Sequence, residues 1–174
     1  MVPLALASKV IKVLRSADSP AQVGWGFALG TIPGLSPLWT LHNAVVLLAV
    51  CIFNVNITAA LLGWGLFSFF AWFLDPLFDA IGYHILVKVP LLQPVWTWLY
   101  NAPIAPLTRF NNTVVMGSLL VALIALVPNY AAFRWFVQRF RQSWGQTIAS
   151  WKVAQVLRGN SIVQLYLKLR DFGG

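Results

Sequence analysis

From Ser19 to Leu74 the chain runs for 56 residues without a Lys, Arg, Asp or Glu. A soluble core does not need so long an uncharged stretch, whereas a bilayer does. Glycines and prolines divide it. Segment A, residues 20–32, opens at Asp18-Ser19-Pro20, where a capping side chain precedes a first-turn proline. At the helical rise per residue it is too short to span comfortably, and Pro33-Gly34-Leu35-Ser36-Pro37 ends it. Segment B, residues 38–53, is continuously apolar with His42 and Asn43 near its start. Asn54-Val55-Asn56 predicts a turn, and segment C, residues 57–74, follows until Asp75-Pro76 interrupts it. Segments D (77–88) and E (91–101) are short, with Pro90, Pro94 and Pro103 punctuating E. Segment F, residues 112–133, is long enough to cross alone.

The ends read differently. Residues 1–16 place Leu6, Val10, Val13 and Leu14 opposite Lys9, Lys12 and Ser16, the pattern of a helix lying on a membrane. A basic amphipathic helix over 134–157 continues from F, striped by Phe133, Val137, Phe140, Trp144, Ile148 and Trp151. Gly159-Asn160 breaks it. The tail 161–170 alternates like a strand, yet Ile162, Leu165, Tyr166 and Leu169 also fit a helix. The expected fold is therefore an all-α integral membrane protein with about four transmembrane helices. It has broken or re-entrant Gly/Pro-rich elements and amphipathic helices at both termini. Residues 1–133 form one membrane domain with an N-terminal interfacial helix, and 134–174 a basic cytoplasmic helix and tail.

Composition sharpens this picture. Charged residues are 9% of the chain and hydrophobic residues 59%, against roughly 25% charged in soluble domains, which excludes a solvated enzyme surface. Nine tryptophans, several near predicted segment ends, suit an aromatic belt in the headgroup layer. The net charge of +8 is explained by orientation and anionic lipid rather than by nucleic acid. Lys9, Lys12 and Arg15 precede the first apolar block, seven basic residues follow the last, and only Lys88 and Arg109 lie between. Both termini are thus predicted cytoplasmic, with an even number of crossings. Cys51 is the one cysteine, so no internal disulfide forms, and nothing has metal-ligand spacing. No cofactor is expected.

A faint repeat runs at an offset of 69: Pro37-Leu38, Leu41-His42-Asn43 and Val45-Val46 match Pro106-Leu107, Phe110-Asn111-Asn112 and Val114-Val115. Transporter folds often combine two such units. Two topologies fit the charges. In one, A, B, C and F cross and D and E lie on the outer interface. In the other, favoured by the short-helix-plus-proline pattern, A and E are re-entrant, B, C, D and F cross, and the repeats are inverted.

Arg109 is the sharpest candidate for chemistry. A guanidinium beside helix N-terminal amides suits a phosphate, although Arg109 also fits an interfacial flank. With Asn111, Asn112, His42 and Asn43 it forms the candidate lipid-binding set, the amides having capping as their plainer role. Gly26, Gly30, Pro33, Gly34, Pro37, Pro103 and Pro106 are the hinge and packing candidates, and the glycine spacing makes a ridge for close helix approach. Asp75, Asp79 and His84 are a candidate proton relay, with interfacial solvation as the alternative. No catalytic constellation is present, and no enzyme activity is expected.

The stretch Ser19-Pro20, Gly26, Gly30, Pro33–Pro37, Asn56 and Ala59-Ala60 resembles the bacterial family called domain of unknown function 2062, over about residues 10–90. Asp75-Pro76 stands where that family's pattern has Asn-Pro, a departure that puts an amide-specific role there in doubt. Residues 100–174 read as a subfamily addition. Some members look fused to glycosyltransferases that use polyprenyl-phosphate sugars, so the resemblance implies lipid-linked substrates. Two functions follow as expectations. One is translocation or passage of an anionic polyprenyl-phosphate or phospholipid. The other is a non-catalytic membrane subunit that anchors a larger envelope lipid-transfer protein, with a homo-oligomer as a further arrangement.

Overall fold

The computed structural model describes residues 10, 13, 14 and 16–144. The amphipathic helix expected over 1–16 is described only at Val10, Val13 and Leu14, which are helical, and at Ser16, which is not; most of the 134–157 helix and the 161–170 tail lie outside the described residues. The chain divides into two compact units, 1–137 and 138–174.

In the first unit, α1 (Pro20–Leu35) starts with a capping box: the Ser19 hydroxyl accepts from the Gln22 N–H, and Gln22 Oε1 accepts from the Ser19 N–H at 2.8 Å. The helix passes through Pro33, so the proline does not end segment A, as the sequence suggested. It ends two residues later, where the Ser36 N–H bonds the Ile32 carbonyl and Pro37 follows. After the bend at 36–40, α2 (Leu41–Ile52) runs back and is only 12 residues long.

The next helix corrects a larger expectation. Segments C and D are one element: α3 (Ile57–Tyr83) continues straight through Asp75-Pro76 and into a π-helical turn, His84–Lys88. A proline inside a helix removes one hydrogen bond and tends to kink it, but Phe78 just after it is buried with Ile32, Leu35 and Ala122, and Leu74 before it packs on the same cluster. D is therefore no separate helix. After a 3₁₀ turn at Pro90–Leu92 comes the short α4 (Gln93–Asn101), then a second 3₁₀ turn at Ala105–Thr108, and α5 (Thr113–Arg139), which carries Pro128 in its interior. Among the described residues all regular structure is helical, and two helices are long and apolar enough to cross a bilayer, Ile57–Lys88 and Thr113–Gln142.

Small residues set how these helices pack. A Cβ on Gly26 would run into the Asn56 backbone, on Gly30 into that of Ala60, and on Gly34 to within 2.9 Å of the Trp64 carbonyl oxygen. Because both numbers rise together, α1 lies parallel to the first half of α3. Gly63 of α3 returns the favour against the Phe27 backbone. At the other end, Gly82 meets Thr113 and Gly117 meets Phe78, which makes α3 and α5 antiparallel. α1 runs antiparallel to α5: Trp25 stacks on Tyr130 at 4.3 Å and Phe27 on Phe133 at 3.8 Å, while further along Ile32 and Leu35 join Phe78 and Ala122 in the buried core. Eleven of the sixteen residues of α1 are buried, whereas most of α2 and the outer faces of α3 and α5 carry exposed large apolar side chains.

Of the second unit, the described residues are the end of α5 and a π-helical turn, Phe140–Trp144.

Candidate functional site

Asn56 closes the N-terminal end of the helix assembly. Its side-chain oxygen caps α3 by accepting from the Ala59 N–H at 2.6 Å, its amide donates to the Asp18 carboxylate, and its own N–H bonds the Gln22 carbonyl at 3.1 Å. An asparagine just before an apolar run is a readable cap signal. The links to Asp18 and Gln22 are not, because they join residues more than 30 positions apart.

The opposite end of α1 holds the more unusual arrangement. Polar side chains fasten it to α5: the half-buried Asn129 donates to the buried Thr31 hydroxyl at 3.3 Å, and the buried Ser118 donates to the Ser36 hydroxyl at 3.4 Å. Asn43, 1% exposed, donates back to the Pro37 carbonyl at 2.9 Å and tightens the bend. A buried amide that satisfies a carbonyl of an irregular bend avoids the penalty of leaving that carbonyl unpaired. Thr40 is buried as well and lies 3.1 Å from His42 Nε2. His42 is thus tied to the bend, not to Arg109.

Two grooves flank this bend. One, of about 450 Å³, lies between Pro33–Leu38 and the middle of α3, and its wall includes Ser36, Trp64, Ser68, Trp72 and Asp75. The other, of about 540 Å³, runs along Leu38–Leu41, Asn43, Ala44 and Leu47 to Trp64, without His42, and Leu107 from the 105–108 turn completes it. Trp64 borders both. A wholly apolar crevice of about 190 Å³ between α1, α2 and α3 also reaches Trp64, with the exposed thiol of Cys51 along its edge.

The remaining candidates are spread out. Arg109 is exposed in the left-handed region at φ 56°, closing the Ala105–Thr108 turn with its N–H on the Pro106 carbonyl at 2.9 Å. Asn112 accepts from the Val115 N–H at 3.0 Å and so caps α5. Asn111 lines a separate groove with Leu86, Trp96, Thr97, Tyr100 and Phe110. Asn43 and Asn112, matched by the repeat, therefore do different work, and the helices that follow them differ in length by more than twofold. Pro103 and Pro106 sit in the loop before α5 and are not part of the bend at Pro37. Asp79 accepts a short hydrogen bond from Thr113, and among the described residues none joins Asp75, Asp79 and His84, all three of which are exposed.

The sequence matches, over residues 5–145, a family described as an uncharacterized protein conserved in bacteria, domain of unknown function 2062. The chain belongs to that family. The match reaches well past residue 90, so the 2062 family core includes α4, α5 and the bends between them, and these are no subfamily addition. An uncharacterized protein of Treponema pallidum (strain Nichols) is 36% identical over 126 residues, covering 72% of this chain and 74% of the relative. No solved structure matches.

Proposed function

We propose that this 2062-family protein is a multi-pass protein of the bacterial inner membrane that moves or passes a phosphate-bearing lipid, with both termini cytoplasmic. In this reading α3 and α5 cross the bilayer, and α1 and α2 enter from the cytoplasmic side as a re-entrant hairpin. Between the level of Asn56 and that of the Asp79–Thr113 hydrogen bond, α3 rises ~33 Å, close to the ~30 Å of a hydrocarbon core. Ser36, at the base of the bend, bonds Ser118 at 3.4 Å, five residues or ~8 Å inside Thr113 on α5. Irregular backbone at that depth is tolerated only where protein or a cavity satisfies it.

The observation that carries the proposal is the pinned bend itself. Ser36, Thr40 and Asn43 are buried in it, Ser118 meets it from α5, and grooves bordered by Trp64 lie on either side. A headgroup can enter such a groove sideways while its chains stay in lipid. Arg109, on the same end of the molecule as the Asp79–Thr113 contact, supplies the cation for a phosphate arriving at the rim.

The test is reconstitution of the full chain in vesicles containing fluorescent phospholipids or a polyprenyl phosphate, with loss of outer-leaflet signal read by a membrane-impermeant quencher. Faster leaflet exchange than in protein-free vesicles, lost in Arg109→Ala, supports the proposal. Exchange no faster than in empty vesicles for every phosphate lipid tried overturns it.

A further inference from the structure

The groove between the α1 bend and the middle of α3 has a sign. Asp75 is exposed within it and makes no hydrogen bond or ion pair among the described residues. The wall contains no Lys or Arg. Trp64 and Trp72 supply aromatic faces, and the exposed Ser68 hydroxyl is a further acceptor, whereas Ser36 already accepts from Ser118. Pro76 adds another acceptor: having no N–H, it leaves the carbonyl of Trp72, four residues earlier, without its usual helical donor. Asp75 lies one turn deeper than Asp79, which Thr113 already occupies. A carboxylate inside the apolar zone of a spanning helix is expensive and marks a site whose countercharge must be named.

That countercharge is not in the groove wall. A carboxylate, spare oxygen acceptors and tryptophan faces together fit an ammonium group, which takes electrostatic attraction from the first, hydrogen bonds from the second and cation–π attraction from the third. We propose that this groove holds the ammonium end of a phospholipid headgroup, with Asp75 as its counter-ion. This rests on the lipid-handling reading and narrows it: among phosphate-bearing lipids, those ending in an amine are preferred over a polyprenyl phosphate or a glycerol headgroup. The apolar crevice that also meets Trp64 gives one acyl chain a place beside the headgroup.

Native mass spectrometry of the full chain in mild detergent tests this, with phosphatidylethanolamine and phosphatidylglycerol of identical chains offered in equal amounts. The wild type is expected to retain the amine lipid about tenfold better, the size of one charge-assisted hydrogen bond. Asp75→Asn should lower retention of the amine lipid to that of phosphatidylglycerol, and Asp75→Glu, which keeps the charge, should retain the preference. Equal retention of the two lipids by the wild type, or a preference that survives Asp75→Asn, overturns the proposal. Leaflet exchange that ignores headgroup type and Asp75→Asn sinks the amine site alone and leaves lipid handling standing. Absence of both binding and exchange removes the two together.

Discussion

Gly30 of α1 lies against the carbonyl of Ala60 on α3 so closely that a single added methyl group would overlap the backbone. The neighbour is main chain, so it cannot rotate away as a flexible side chain would. Gly30→Ala should therefore destabilise the protein by ~1–3 kcal/mol, the usual range for overpacking. Gly65, two residues beyond Gly63 on the same helix, has nothing within 4 Å of its Cβ position. Gly65→Ala should be neutral or stabilising by ~0.5–1 kcal/mol, since it only removes backbone freedom. Thermal unfolding of both variants in one detergent checks the pair. Equal behaviour would mean that α1 does not pack on α3 through its glycine ridge.

Asp79 and Thr113 hold the other end of the α3–α5 crossing, beside the close approach of Gly82 to Thr113. A double-mutant cycle with Asp79→Asn and Thr113→Val should give a coupling energy of ~0.6 kcal/mol and no more than ~1.7, as measured for hydrogen bonds in membranes. Zero coupling would show that the two side chains contribute to stability independently.

Much of this was legible in the residues. The uncharged run, the Gly26-Gly30-Gly34 ridge and the Ser19 and Asn56 caps all depend on neighbours a few positions apart, and local patterns report those directly. Asp75-Pro76 misled because a charged residue followed by proline reads as a break. Continuity there is decided by what packs on α3 from α1 and α5, and no local pattern contains that. The same applies to Asn43. Its position at the start of an apolar helix suggests a cap or a ligand, but its partners are the Pro37 and Leu38 carbonyls, reachable only once the chain has turned back on itself. The pairs Ser36–Ser118 and Thr31–Asn129 span 82 and 98 residues and left no trace in the spacing.

Asn43 is where this reading of the bend can be tested by stability. Asn43→Ala removes the donor to the Pro37 carbonyl and leaves that acceptor without its partner, at an expected ~1–3 kcal/mol. The loosened bend should also react faster with a thiol reagent at Leu38→Cys, measured in a Cys51→Ser background. Unaltered unfolding temperature and labelling rate would mean that the bend is held by other contacts.

Arg109 separates backbone from side chain. Its φ of 56° is a conformation that glycine adopts freely and other residues adopt at a cost. Arg109→Gly should therefore raise stability by ~0.5–1 kcal/mol, while Arg109→Ala should leave it nearly unchanged. If the guanidinium serves a phosphate, lipid exchange falls equally in both variants despite their different stabilities. Exchange that tracks stability instead would assign Arg109 to the turn alone.

The hairpin makes the sharpest topological demand. If α3 crosses once, the Asn54 turn and the Asn101 loop face opposite sides of the membrane, whereas separate crossings by segments C and D would put them on the same side. In a Cys51→Ser background, Asn54→Cys should be labelled by an impermeant maleimide only from the cytoplasmic face and Asn101→Cys only from the other. Trp39→Cys, at the 80% exposed crest of the bend, decides whether α1 and α2 cross or merely enter. If they are re-entrant, residue 39 stays several ångströms below the far surface and reacts with apolar permeant reagents but slowly with impermeant ones. Labelling of Trp39→Cys from the far side as fast as Asn101→Cys would make α1 and α2 true spans, and the lateral grooves beside the bend would then open to water rather than to lipid.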